Sequence, residues 1–207
     1  MILLTSAIAG HAQTKIIDFS VVRVSEWVTQ KSDTLDYSLG EYSGSTAFIL
    51  KRNFGNPKSA SLAYPKNLDF KNGLIELDIA SPNGTQGFVG IAFHISDSNH
   101  YETLYFRPGS SGTNEAIQYM PKKKPEFDWW DYEAASYQAN ALLPEKDWFH
   151  VKLVIRNREL KVYLNNQSVP VMSRSDLDPG LQKGSVGFWL GNSASGAYRN
   201  LRIQKED

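Results

Sequence analysis

The chain contains no cysteine. That excludes disulfides, cysteine-based zinc sites and a thiol nucleophile together. It also lacks an excess of either charge, since 22 basic residues are balanced by 22 acidic ones. Nothing in that balance points to a nucleic acid or an anionic membrane as partner. No segment beyond the N-terminus is apolar for long enough to span a bilayer. Helical periodicity is scarce, and there is no internal repeat, low-complexity tract or linker. What remains is a chain of 207 residues with 41% hydrophobic content. It is most economically one globular domain, long enough to bury roughly 70% of the surface its unfolded form would expose.

The first residues, MILLTSAIAGHAQ, carry an apolar run, Ile2–Ala9, followed by small residues with Ala12–Gln13 as a cleavage point. This pattern resembles the end of a secretory signal peptide, although a basic region before the run is missing; the alternative is a first strand or a frayed tail. Residues 1–12 are therefore expected to be a leader remnant and residues 13–207 one domain, in the periplasm or secreted.

Candidate strands recur through that domain: Ile16–Phe19, Val21–Val24, Thr46–Lys51, Ala60–Tyr64, Leu74–Ala80, Phe88–Ile95, Tyr101–Arg107, Ala116–Met120, Phe149–Arg156, Leu160–Asn165, Ser185–Leu190 and Tyr198–Ile203. Turn chemistry separates them, as in Lys71-Asn72-Gly73, Pro82-Asn83-Gly84 and Asp178-Pro179-Gly180. Many short strands at this spacing predict an all-β sandwich or barrel.

The stretch His100–Pro121 has the most unusual polar pattern. Strict alternation along Tyr101–Arg107 places Glu102, Leu104 and Phe106 on one face and Tyr101, Thr103, Tyr105 and Arg107 on the other. Gln118 joins the second face from the following strand. By the same rule Val89, Ile91, Phe93 and Ile95 point inwards and Gly90, Ala92 and His94 outwards, while Glu76 and Asp78 flank the inward Ile75, Leu77 and Ile79. Antiparallel sheets with one solvated face read this way. The small residues Gly90 and Ala92 recess the middle of the polar face, which outlines a groove.

Between Met120 and Trp148 lies the longest excursion, rich in rings: Phe127, Trp129, Trp130, Tyr132 and Tyr137. These rings either lid one end of the core or stand exposed as a stacking platform for a sugar. The ligand-binding set predicted from these patterns is His94, Tyr105, Arg107, Gln118, Glu76 and Asp78, with Trp129 or Trp130 at its edge. The expected partner is a carbohydrate; the sequence does not specify an oligomeric state.

No catalytic residue is assigned. Glycoside hydrolysis needs two carboxylates about 5–5.5 Å apart for retention or about 6.5–9.5 Å for inversion. Glu76 and Asp78 share a face, but neighbours on one strand seldom flank a bond from opposite sides. The serine-rich Gly191–Gly196 misses the nucleophile-elbow spacing by one residue. The four histidines, His11, His94, His100 and His150, contain no H-x-x-x-H pairing for a metal. No cofactor is expected from the residues themselves.

The C-terminal third completes a recognisable pattern. Trp148–Val154 precedes the hairpin strand Leu160–Asn165, then Gly184-Ser185-Val186-Gly187-Phe188, then Tyr198-Arg199-Asn200-Leu201-Arg202-Ile203. With Phe70–Asp78 upstream, this resembles the laminin G-like, concanavalin A-like lectin/glucanase superfamily, over roughly Phe70 to Ile203. Tyr105-Phe106-Arg107-Pro108 and Gln118-Tyr119-Met120-Pro121 further resemble secreted bacterial domains of that superfamily. The resemblance implies a two-sheet antiparallel jelly-roll sandwich. Glucanases of the superfamily carry a third carboxylate after E-x-D; here Ala80 and Ser81 follow Glu76-x-Asp78. Members often hold a structural calcium, which the resemblance implies without naming ligands. Three functional expectations follow: a glycan-binding module, a sugar-acting enzyme similar to glucanases or 3-keto-disaccharide hydrolase domains, and a laminin G-like adhesion or structural domain.

Overall fold

The computed structural model describes residues 14–16, 26–29, 36–52, 60–125, 132, 134–191 and 195–206. Two antiparallel sheets pack face to face as the jelly-roll sandwich that the motifs imply. The eight-stranded sheet contains β1 (Thr14–Ile16), β3 (Asp36–Tyr42), β4 (Ser45–Lys51), β6 (Asn72–Ala80), β11 (Phe149–Arg156), β12 (Glu159–Leu164), β13 (Met172–Arg174) and β15 (Ser195–Glu206). Its order is β13-β12-β11-β6-β15-β4-β3, with β1 pairing β15. The seven-stranded sheet runs β10-β9-β8-β7-β14-β5-β2. Its members are β2 (Trp27–Thr29), β5 (Ser61–Pro65), β7 (Val89–Asp97), β8 (His100–Phe106), β9 (Ile117–Lys122), β10 (Gln138–Ala139) and β14 (Ser185–Leu190).

Alternation decides which way each strand faces. Ile75, Leu77 and Ile79 from one sheet meet Ile91, Phe93, Leu104 and Phe106 from the other, all fully buried. Burying each such side chain is worth roughly 1.5–3 kcal/mol, so a one-residue slip of any of these strands is strongly disfavoured. Rings reinforce the centre: Phe188 stacks on Tyr198 at 4.4 Å, and Trp27 stacks on Phe48 at 5.0 Å.

The edge strand β3 was not foreseen. Its sequence, DYSLGEY, mixes polar residues onto both faces, yet it pairs with β4 from Asp36↔Lys51 to Tyr42↔Ser45. An edge strand has only one neighbour and needs no apolar face of its own. The expected strand Val21–Val24 lies outside the described residues, as do Phe19, the leader and its cleavage point. Among the described residues no helix is long and apolar enough to cross a membrane.

Candidate functional site

The seven-stranded sheet has an outer face away from the core, and three of the eight predicted site residues, Tyr105, Arg107 and Gln118, lie on it. Tyr105 on β8 stands opposite Gln118 on β9, and the tyrosine hydroxyl donates to Gln118 Oε1 at 2.5 Å. The Gln118 amide then donates to the carbonyl of Tyr132 at 2.8 Å. Tyr105 stacks on Trp189 of β14 at 5.1 Å and meets Phe88 at 5.5 Å. The Arg107 guanidinium lies 4.9 Å from the Phe88 ring centroid, and its Nη1 pairs with Glu115 at 2.9 Å. A continuous aromatic track therefore runs from Trp189 through Tyr105 to Phe88 and ends at a stacked arginine.

The centre of this face is closed. Tyr105 is 1% exposed and Gln118 3% exposed, whereas the Arg107 side chain keeps 26% of its surface. Gly90 does not hold a recess open. A Cβ there would sit 2.4 Å from the Leu104 carbonyl oxygen, so the glycine serves close backbone approach. Tyr101 and Thr103 share the face; Tyr101 Oη accepts from the Trp189 indole at 3.3 Å. Burial pushes the Tyr101 phenol well above its usual range.

His94 is not on this face. The β7–β8 register shifts between Phe93 and Asp97, and His94 takes φ = 51°, so Phe93 and His94 both turn inward and Ile95 emerges on the outer side. This is a β-bulge, in which one extra residue reverses the alternation beyond it. Gly184, just before β14 in the same sheet, marks it from the neighbouring strand, because a Cβ there would lie 2.4 Å from the Ile95 oxygen.

Inside, His94 Nδ1 and Glu102 Oε2 are 2.5 Å apart, and His94 Nε2 donates to the Lys71 carbonyl at 2.8 Å. The carbonyl can only accept, so Nε2 carries one proton and a second lies between Nδ1 and Oε2. The other carboxylate oxygen accepts from the Tyr119 hydroxyl at 2.5 Å and from the Asp178 amide at 3.0 Å. Burial, with the Glu102 charge beside it, drives the Tyr119 phenol far above its usual range. Glu102 is the polar residue of consequence missing from the predicted set. Its sequence signal was its place among Leu104 and Phe106 on the inward face.

Glu76 and Asp78 belong to β6 in the opposite sheet, so they can neither line the Tyr105 face nor neutralise Arg107. Asp78 accepts from His150 Nδ1 at 2.8 Å, Arg199 Nε at 3.0 Å and Asn200 Nδ2 at 2.7 Å. Burial alone would raise its pKa; these hydrogen bonds outweigh that and hold the carboxyl below its usual value. A second bulge, with Asn200 at φ = 56°, brings Arg199 and Asn200 to the same carboxylate. Glu76 lies opposite Lys152 and Arg202 in a cross-strand charge row. Trp129 and Trp130 lie outside the described residues. Among the described residues no group of three or more His, Asp or Glu side chains is placed to hold a metal ion, and no calcium ligand set is assigned.

A family model described as the 3-keto-alpha-glucoside-1,2-lyase-like domain matches residues 25–204, most of the chain. The chain belongs to that family. As a member of the 3-keto-alpha-glucoside-1,2-lyase-like family it shares its fold with several solved structures. One is the carbohydrate binding module CBM66 from Bacillus subtilis, 11% identical over 86% of this chain and 95% of that one, with a TM-score of 0.59. Another is a native glycosidic hydrolase, 13% identical over 93% and 95% of the two chains, with a TM-score of 0.60. A third is a legume lectin-like domain from Entamoeba histolytica, 15% identical over 87% and 88%, with a TM-score of 0.52. These likenesses establish the concanavalin A-like fold of this family member; its chemistry has to be argued from its own residues.

Proposed function

We propose that the chain binds a carbohydrate at the edge of the outer face of the seven-stranded sheet, where Arg107 and Phe88 remain accessible. The observation that carries this reading is the accessible edge of that face, where the half-buried Phe88 ring and the Arg107 guanidinium lie 4.9 Å apart, backed by the buried Tyr105 and Trp189. Aromatic faces suit the apolar faces of sugar rings. A guanidinium is a planar fork of donors, suited to vicinal hydroxyls or a carboxylate, and Arg107 Nε is buried without a hydrogen-bond partner. The fold neighbours, a carbohydrate binding module and a legume lectin-like domain among them, agree with a sugar as the ligand class.

Family membership favours a second reading, an enzyme acting on a 3-keto-α-glucoside. The carboxylates predicted from sequence give it no acid–base pair: Glu76 and Asp78 lie on the opposite sheet, with Asp78 held by three donors, and Glu102 is sealed inside. A glycan array read beside a cleavage screen on the same sugars, 3-keto-glucosides included, separates the two. Binding without turnover supports the module, and turnover of a 3-keto-glucoside supports the enzyme. Neither binding nor turnover on any sugar contradicts both.

The setting we propose is extracytoplasmic, supported by the apolar run Ile2–Ala9 and the small residues before Gln13. Mass spectrometry of the protein from its native host should find an N-terminus near Gln13. An intact Met1 on a cytoplasmic product would contradict it.

A further inference from the structure

A cavity of about 60 Å³ opens between the sheets, on the opposite side of the seven-stranded sheet from the proposed sugar face. Its floor is formed by the buried Ile155, Leu177 and Leu181 together with the buried His94 ring, which is held between Glu102 and the Lys71 carbonyl. Its rim carries Lys71, Arg158 and the amides Asn72, Asn157 and Gln182, and no carboxylate lines it. Nearby carboxylates are committed elsewhere: Asp178 to Lys123, Asp69 to Lys183, Glu206 to Arg156 and Glu102 to His94. Among the described residues Lys71 has no such partner, and Arg158 donates through Nε and Nη2 only to the Leu177 carbonyl, at 2.9 and 2.7 Å. That pair of bonds fixes the guanidinium plane and leaves Nη1 for a ligand. Asn157 and Arg158 both take left-handed φ, 50° and 67°, in the tight β11–β12 turn, which fixes the rim backbone as well.

We propose that this pocket is a second binding site, taking the carboxylate end of a small organic acid. Its volume is small beside the roughly 300–1,000 Å³ of typical ligand pockets, which suits an end group better than a whole sugar ring. The apolar part of the floor suits the carbon stem behind a carboxylate. Inorganic phosphate has the charge but no such stem. The rim amides can donate to the same oxygens.

The test is a titration of the intact chain with acetate, propionate and inorganic phosphate at constant ionic strength, followed by the side-chain amide resonances of Asn72, Asn157 and Gln182. Saturable shifts with acetate, stronger with propionate and weaker with phosphate, are the expected result. Lys71→Ala should weaken acetate binding about threefold to fivefold, the scale of one exposed charge pair. Because Lys71 contributes only its backbone to the fold, the melting temperature should not move. Arg158→Lys keeps the charge but loses the fork, and should weaken binding further. Absence of saturable shifts, equal response to phosphate, or acetate binding unchanged in Lys71→Ala and Arg158→Lys would each overturn the proposal. Sugar binding at the other face is expected to survive Lys71→Ala, so failure here and failure there are distinguishable.

Discussion

Glu102 is fully buried, yet each carboxylate oxygen has a partner: His94 at one, Tyr119 and the Asp178 amide at the other. An uncompensated ionisable group in such a place would be costly, and removing one member of a buried pair costs about 3–5 kcal/mol. Glu102→Gln should therefore lower the unfolding free energy by about 3 kcal/mol. Glu76→Gln, on a half-exposed strand face, should change it by less than about 0.5 kcal/mol. Urea denaturation of both variants measures the contrast; equal effects would mean that the inner pair contributes no more than a surface charge. The parity of Glu102 was legible in the sequence, because Leu104 and Phe106 fix the inward face. The position of its partner was not, because alternation carried His94 outward and nothing local announces a bulge.

Strands and turns follow from alternation wherever a strand has one buried face, as in β6, β8 and β11. Prediction failed where that premise failed. β3 has a single neighbour, and beyond His94 the bulge inverts the side-chain faces. The assignment of consecutive strands to one sheet also failed, since β6 and β7 lie in different layers although their patterns match. A two-residue period reports which face is buried, not which sheet owns the strand. Gly90 shows the same limit. Read as an opening in the face, it is instead where the β8 backbone passes too close for a side chain. Gly90→Ala should cost about 1–3 kcal/mol as the strands are forced apart. Calorimetry should show a lowered melting temperature; an unchanged one would mean that β7 and β8 have room to separate.

Across the whole molecule, the two sheets bury tyrosines from several strands. Burial raises the phenol pKa of Tyr101, Tyr119 and Tyr198 far above the ordinary value of 10.0. Their neutral forms are favoured in the folded state, so this contribution is complete below about pH 10, the unfolded value, and is lost as pH rises beyond it. The protein should unfold cooperatively in alkali, with a fraction of its 10 tyrosines ionising only in that transition. Ultraviolet titration checks this, and smooth ionisation of every tyrosine before unfolding would contradict it. At the same scale, the proposed sugar face combines residues from three strands and two loops. The sequence could nominate Tyr105, Arg107 and Gln118 together because they share a parity on adjacent strands. It could not supply Trp189, which reaches the face from a strand distant in the chain.

The most direct measurement is isothermal titration of an array-selected glycan into the wild-type chain and into Arg107→Ala, with melting temperatures taken in parallel. Arg107 meets Phe88 and an exposed Glu115 at the edge of its sheet, so its removal should leave the melting temperature nearly unchanged. Binding should weaken at least about tenfold, the loss of roughly one charge-assisted hydrogen bond. A variant that melts earlier yet binds the glycan as tightly as the wild type would place the sugar somewhere other than the outer face of the seven-stranded sheet.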